Sequence, residues 1–190
     1  MILGITGGTG CGKTTLLKEI EARGGLVLDC DAIYHELLTR DEKLLGAIDA
    51  RFPGVVEDGA LQRKKLGAIV FADEQALLDL NAITHSAVKG EVRRRLETAP
   101  RLAAIDAIAL FEGGLAELCD VTVAVTAPEE IRVERLMARD GISREYAQAR
   151  INAQKDEAFF ASVCGAVLRN DGTLESFREK CRMFLEEIGA

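Results

Sequence analysis

The chain has 190 residues, enough to bury one core with room for a small inserted region. Apolar residues make up 48% and charged residues 29%, an ordinary balance for a soluble globular protein, and no apolar run approaches the ~20 residues that span a bilayer. A net charge of −7 argues against a general nucleic-acid binder, which carries a basic surplus, while leaving room for a local basic pocket.

Ile2, Leu3 and Ile5 predict a short buried strand. Gly7-Gly8-Thr9-Gly10-Cys11-Gly12-Lys13-Thr14 follows, matching the phosphate-loop pattern G-x-x-x-x-G-K-[ST] at every fixed position. Lys13 to Arg23 then predicts a helix with Leu16, Leu17 and Ile20 on one face. Polyphosphate oxygens need several backbone N–H groups aimed at one spot. Glycines let the chain wrap that closely, and the helix N-terminus adds partial positive charge. Gly10, Cys11, Gly12, Lys13, Thr14 and Thr15 are therefore expected to hold ATP. Lys13 reaches the β and γ phosphates, the Thr14 hydroxyl meets Mg²⁺, and Cys11 and Thr15 lend further donors. The plain alternative is a glycine-rich turn that binds nothing. Four glycines among residues 7–12, directly after a strand and before Lys-Thr-Thr, argue against it.

Leu26 to Asp31 predicts a second strand ending in acids. Asp29 and Asp31 share a face if the strand is still extended there. Ligands gather at the carboxyl ends of strands in open α/β sheets, so both acids are expected near the loop, as base or metal partner. The competing reading is that they cap the helix over 32–39, a role Asp31 suits. Residues 41–99 predict mostly helix. Leu44, Leu45, Ile48 and Phe52 carry one stripe, stopped by Pro53-Gly54, and residues 56–59 are turn-like. A helix resumes from Leu61 to Phe71. Asp73 caps another, along which Leu77, Leu78, Leu80 and Ile83, then Val88, Val92 and Leu96, form the apolar stripe. The basic residues of this region read as a solvated face.

Leu102 to Phe111 predicts a third strand. Its Asp106 resembles the second acidic element of phosphate-loop proteins and so is a second expected partner of Mg²⁺. Glu112, just beyond, is a candidate polar contact. Val121 to Val125 predicts a fourth strand, followed by a helix with Thr126 as cap and Pro128 early. Arg132, Arg135 and Arg139 lie along one face of that helix. Ser143 caps the next helix, which carries Arg144 and Arg150. Two arginine-bearing helices joined by a short turn suit a lid that excludes water and neutralises a phosphate in transfer. Arg132 and Arg150 read as solvated. Val163 to Leu168 predicts a fifth strand, Asn170-Asp171-Gly172 a turn, and Thr173 the cap of a last amphipathic helix.

Cys11, Cys30, Cys119, Cys164 and Cys181 make an odd count without C-x-x-C, so neither a disulfide framework nor a zinc site is expected. They read as small apolar residues, with Cys11 a possible exception open to oxidation. No signal peptide is evident, and the expected setting is cytoplasmic, with no membrane or nucleic-acid partner, as a monomer or weak homo-oligomer. Alternating strand and helix predicts an α/β phosphate-loop kinase fold: a five-stranded parallel sheet flanked by helices in one domain. Its core is expected over 1–31, 100–130 and 160–190, with a helical acceptor-binding region at 32–99 and a lid at 131–159. A GTPase switch would want N-K-x-D, which is absent. A motor ATPase usually needs more chain. Size, helical insertion and arginine lid favour a small-molecule kinase.

The phosphate loop, Val27-Leu28-Asp29-Cys30-Asp31, Gly59-Ala60-Leu61-Gln62-Arg63, Phe71-Ala72-Asp73, Leu80-Asn81 with His85, Ile105-Asp106 through Glu112, and Arg135 to Asp140 occur together in order. Over nearly the whole chain this resembles the dephospho-CoA kinase family. The resemblance implies ATP-dependent phosphorylation of the ribose 3′-hydroxyl of dephospho-CoA, with ATP and Mg²⁺ as cofactors. It implies Asp31 as catalytic base, Lys13 holding phosphates, and Arg139 neutralising the group in flight. Asp29, Asp31, Arg63, His85 and Glu112 fall on the acceptor side. The chain departs from the pattern at Ser86, where proline is usual, at Ile108-Ala109-Leu110, where Pro-Leu-Leu is frequent, and over Lys155 to Val163, which lacks the usual arginine or lysine pattern. The alternatives are a nucleoside or nucleotide kinase of the same fold and a non-catalytic nucleotide-binding regulatory protein.

Overall fold

The computed structural model describes residues 1–190. Five parallel strands lie in the order β2-β5-β1-β6-β7: β1 (Ile2–Thr6), β2 (Leu26–Asp29), β5 (Ala103–Asp106), β6 (Val121–Thr126) and β7 (Ala166–Arg169). Two shorter strands, β3 (Val56–Glu57) and β4 (Ala60–Leu61), pair separately as an antiparallel hairpin. The helices are α1 (Lys13–Ala22), α2 (Cys30–Arg40), α3 (Glu42–Arg51), α4 (Arg63–Val70), α5 (Glu74–Leu96), α6 (Glu129–Asp140), α7 (Arg144–Asn152), α8 (Glu157–Val163) and α9 (Leu174–Glu187). No helix is long and apolar enough to cross a membrane.

Alternation along the strands divides the core between the two sheet faces. On one face Leu3, Ile5, Val123 and Val125 meet Leu16 and Ile20 of α1 and Phe177, Cys181 and Leu185 of α9. On the other, Leu28 and Ile105 meet Ile33 and Leu37 of α2, Ile48 of α3, and Val88 and Val92 of α5. A third, small cluster belongs to α6 and α7 alone: Val133, Leu136, Ala147 and Ile151. Register aligns Asp106 with Asp29 on one neighbour and with Ile5 on the other, so the strand ends, and the acids they carry, come out at one edge.

Several boundaries differ from the sequence expectation. Strand β2 stops at Asp29, because that side chain accepts a hydrogen bond from Ala32 N at 3.0 Å and starts α2 at once. Asp29 is thus the cap, and Asp31 lies in the first helical turn. Strand β5 is four residues rather than ten; after Asp106 the chain folds into tight turns, with Gly113 N bonding Ala109 O at 2.8 Å and Leu115 N bonding Leu110 O at 3.0 Å. The expected turn at 56–59 is a hairpin with both turn residues at positive φ, Asp58 at 51° and Gly59 at 74°, the twist that paired strands favour. Leu77 and Leu78 are exposed, whereas Val88 and Val92 are buried as expected with Leu80, Ile83 and Leu96 packed beside them, and Ala76 and Thr84 complete the buried stripe of α5. Thr126 closes β6 and does not cap; Pro128 stands at the start of α6. Asp156 caps an unexpected helix, α8, which delays the last strand to Ala166 and runs through the expected lid–core boundary at 159/160. The caps at Asp73, Ser143 and Thr173 are where the sequence puts them.

Candidate active site

The loop between β1 and α1 opens at the carboxyl edge of the sheet, where a parallel α/β fold receives its ligands. Gly12 ends it with φ of 97°, and a Cβ there would stand 2.3 Å from Asn170 Nδ2. Only glycine satisfies both demands. Lys13 Nζ donates to Gly7 O at 3.1 Å, folding the ammonium back over the loop, and lies 3.9 Å from Asp106 Oδ1. A basin of about 700 Å³ lies above the loop, bordered by Lys13, Thr14, Asp31, Asp106, Arg139 and Arg150.

Asp106 is the strained electrostatic element of this basin. Burial pushes its carboxyl up to about 6, and Asp29 and Asp31 add to the rise while Lys13 opposes it. Its Oδ1 is buried and accepts no hydrogen bond. An orphaned carboxylate oxygen on Asp106, in the basin that Thr14 also borders, suits a hard cation such as Mg²⁺. No three acidic, histidine or cysteine side chains converge to cage a metal alone. The residues therefore fit an ion that takes most of its ligands from phosphate oxygens and water, as Mg²⁺ does in nucleotide sites.

Arg139 grips Asp140 with two hydrogen bonds, Nε to Oδ1 at 2.7 Å and Nη2 to Oδ2 at 3.0 Å, and Arg150 Nη1 meets the same Oδ2 at 2.7 Å. These bonds, that from Arg139 first, hold the Asp140 carboxyl down at about 2. Arg150 borders the basin with 38% of its side chain exposed, a solvated position on the rim. Arg132, also expected to be solvated, is half-buried and bonds Thr9 O and Gln154 Oε1.

A second cavity of about 220 Å³ lies behind Asp31, lined by Tyr34, Asn81, Thr84 and His85 among others. Asp31 and Ile108 border both spaces. Beyond Tyr34 and Leu80 a third hollow of about 210 Å³ holds Arg63, whose Nη2 lies 3.5 Å from His35 Nδ1. Of the expected acceptor residues, Asp31 and His85 meet in one cavity and Arg63 stands one hollow further out. Asp29 is occupied as a cap. Glu112 is exposed and borders none of the three spaces, because the strand expected to carry it there ends six residues earlier. Cys11 is 2% exposed and packed among Leu16 and Ile5; burial pushes its thiol up, so the expected opening to oxidation is absent. Thr15 N is spent on Gly12 O at 3.0 Å within the first turn of α1.

Sequence reasoning missed Asn170 and Gln154, and it placed Arg135 among the lid arginines without its bonds to the loop. Arg135 Nη1 donates to Gly10 O at 3.1 Å and Nη2 to Asn170 Oδ1 at 3.2 Å; buried Asn170 returns Nδ2 to Cys11 O at 2.8 Å. The signal was available for Asn170, which directly follows a strand at the ligand edge.

Residues 1–176 match the family model described as dephospho-CoA kinase. The chain belongs to the dephospho-CoA kinase family. It is 35% identical to the dephospho-CoA kinase of Carboxydothermus hydrogenoformans, over 98% of this chain and 93% of that one. It is 36% identical to that of Thermobifida fusca, over 98% and 95%. Among solved structures, TT1252 from Thermus thermophilus superposes with a TM-score of 0.81 at 34% identity, covering 100% of this chain and 98% of the other. The dephospho-CoA kinase from Campylobacter jejuni does so with 0.70 at 25% identity, covering 98% and 96%. A shikimate kinase from Bacteroides thetaiotaomicron, at 0.58 and 16% identity over 98% of each chain, shares the phosphate-loop kinase fold. This dephospho-CoA kinase family member is accordingly a transferase with a nucleotide-binding loop, and a regulatory protein without catalysis is not favoured.

Proposed function

We propose that this member transfers the γ-phosphate of ATP to the ribose 3′-hydroxyl of dephospho-CoA, giving CoA, the last step of CoA synthesis. The observation that carries the reading is the position of Asp31, on the wall shared by the phosphate basin and the inner cavity. An acceptor in the inner cavity then presents its hydroxyl to Asp31 with the γ-phosphate on the far side, the in-line arrangement phosphoryl transfer requires. Asp31 accepts the hydroxyl proton as the oxygen attacks. Tyr34, Asn81 and His85 offer a ring face and polar edges for the nucleoside end of the acceptor. Arg63 stands where a diphosphate arm would leave the cavity past Tyr34 and Leu80.

On the donor side, Lys13 and the loop amides hold the β and γ phosphates. Mg²⁺, when bound through Thr14 and Asp106, offsets charge on the phosphate oxygens. Arg139, now held by Asp140, is close enough in sequence and space to turn to the transferring group while Arg150 keeps Asp140 paired. The α6–α7 pair has its own apolar cluster, so it can move as a unit without opening the main core.

Two variants test the reading together. Asp31→Asn is expected to bind ATP normally and lose about 10²–10⁴ in kcat, the range for a general base. Arg63→Met is expected to raise the KM for dephospho-CoA about tenfold, the weight of one charge-assisted contact, and to leave the KM for ATP alone. Unchanged turnover in Asp31→Asn would remove that residue from the mechanism. An equal effect of Arg63→Met on both substrates would remove the proposed acceptor track.

A further inference from the structure

The phosphate loop is held from outside by side chains that neither the motif nor the proposed chemistry uses. Three contacts close a triangle between Thr9, Arg132 and Gln154. The Thr9 N–H donates to Gln154 Oε1 at 2.8 Å, its carbonyl accepts from Arg132 Nε at 2.9 Å, and Arg132 Nη2 donates to the same Gln154 oxygen at 3.0 Å. The triangle closes tightly over Gly8, where a Cβ would lie 2.3 Å from Arg132 Nη2 and 3.0 Å from Gln154 Oε1. Arg132 lies in the first turn of α6, and Gln154 sits two residues past the end of α7. The two anchors therefore bracket the α6–α7 pair in sequence and meet on one loop residue in space.

A peptide plane carries its C=O and the next N–H on opposite sides. Fixing the Thr9 carbonyl outward turns the Gly10 amide inward, and fixing the Cys11 carbonyl through Asn170 does the same for the Gly12 amide, while the Cys11 amide is spent on Gly8 O at 3.3 Å. A nest of amides is effective toward anions to the degree that it is oriented before the ligand arrives. Neither Arg132 nor Arg135 has a carboxylate within ion-pair distance, although arginines elsewhere in the chain mostly do. Their bonds go to loop carbonyls, which leaves the positive charge uncompensated beside the phosphate site.

We propose that Arg132 and Gln154 are positioning residues of the phosphate loop, acting through the Thr9 peptide and tying the base of the α6–α7 pair to the donor nucleotide. The inference rests on the reading that the loop holds ATP phosphates.

The test uses the full chain and steady-state kinetics with ATP and dephospho-CoA, together with direct binding of Mg·ATP and of adenosine. Arg132→Met is expected to raise the KM and Kd for ATP about tenfold and to lower kcat, with the KM for dephospho-CoA and the affinity for adenosine unchanged. Arg132→Lys keeps the charge and loses the fork that reaches Thr9 and Gln154 together, so it is expected to behave like Arg132→Met. Gln154→Ala removes the acceptor shared by Thr9 N–H and Arg132 Nη2 and is expected to follow Arg132→Met. Gly8→Ala pushes the triangle apart without replacing any of its members and is expected to give the same ATP-selective loss, which keeps the test open if an Arg132 variant folds poorly. Wild-type constants in Arg132→Lys would reduce Arg132 to a background charge and overturn the proposal. So would a fall in melting temperature with unchanged ATP constants in the folded fraction. Wild-type protein that binds no ATP would instead overturn the functional reading itself, and this inference with it.

Discussion

Asp106 carries two opposing demands in one side chain. It sits 3.9 Å from the Lys13 ammonium, yet burial keeps its carboxyl near 6, above the ordinary 3.8. A raised folded pKa means that the native state binds its proton more tightly than the unfolded chain does. The contribution of this one carboxyl to stability is then most favourable at low pH and declines as pH rises from about 4 to about 6, with its full cost present above that window. Asp106→Asn is therefore expected to be more stable than wild type at pH 7.5 in chelator, by up to about 3 kcal/mol at 1.36 kcal/mol per unit, and no more stable below pH 4. Urea unfolding at the two pH values measures both. Wild-type protein that is the more stable of the two at pH 7.5 would show that Lys13 outweighs burial. At this scale the loop residues were legible, because a motif fixes residue type at fixed spacing. Arg132, Arg135 and Gln154 were not. The loop residues they bond lie more than a hundred residues away in sequence, and which face of α6 meets the loop is decided by packing.

The junction of β2 and α2 shows how an element boundary assigns roles. Two acids at i and i+2 read as sharing a strand face, but helix begins at Cys30 and separates their tasks. Asp29 spends its oxygen on Ala32 N, and Asp31 is left free toward the basin. Asp29→Ala is expected to cost about 1 kcal/mol of stability, as a lost N-cap does, with at most a small change in kcat. Asp31→Ala is expected to reverse that pattern, holding stability and losing turnover. Denaturant midpoints and kcat on the same two proteins separate the roles; equal losses of turnover would mean that both acids serve the chemistry. Caps announced by Asp73, Ser143 and Thr173 were legible because each is a short polar residue directly before an apolar periodic run. Helix α8 was hidden, since a seven-residue helix holding one buried residue, Phe160, leaves no periodic stripe to read.

Across the whole molecule, the alternation of strand and helix was enough to foresee five parallel strands, and the carboxyl-edge rule placed the site. The region over 32–99 was foreseen only as helical. Its hairpin and the lengths of its helices depend on how α2, α3 and α5 pack together over one face of the sheet, which local sequence does not specify. The opposite face has Phe177 of α9 at 1% exposure against β1 and α1. Phe177→Ala is expected to destabilise by about 3–5 kcal/mol through lost burial and a residual cavity. Because it lies on the face away from the inner cavity, the folded fraction should keep its kinetic constants, which a temperature series of activity against circular dichroism would show. The central claim is acceptor identity, and one experiment addresses it directly. The protein is incubated with Mg·ATP and dephospho-CoA, with adenosine, AMP and uridine as parallel acceptors, following ADP release and identifying the product by phosphorus NMR. CoA with a new 3′-phosphate, formed in the first reaction and in no other, is the expected result. ADP release without any acceptor, or a phosphorylated nucleoside in place of CoA, would contradict it.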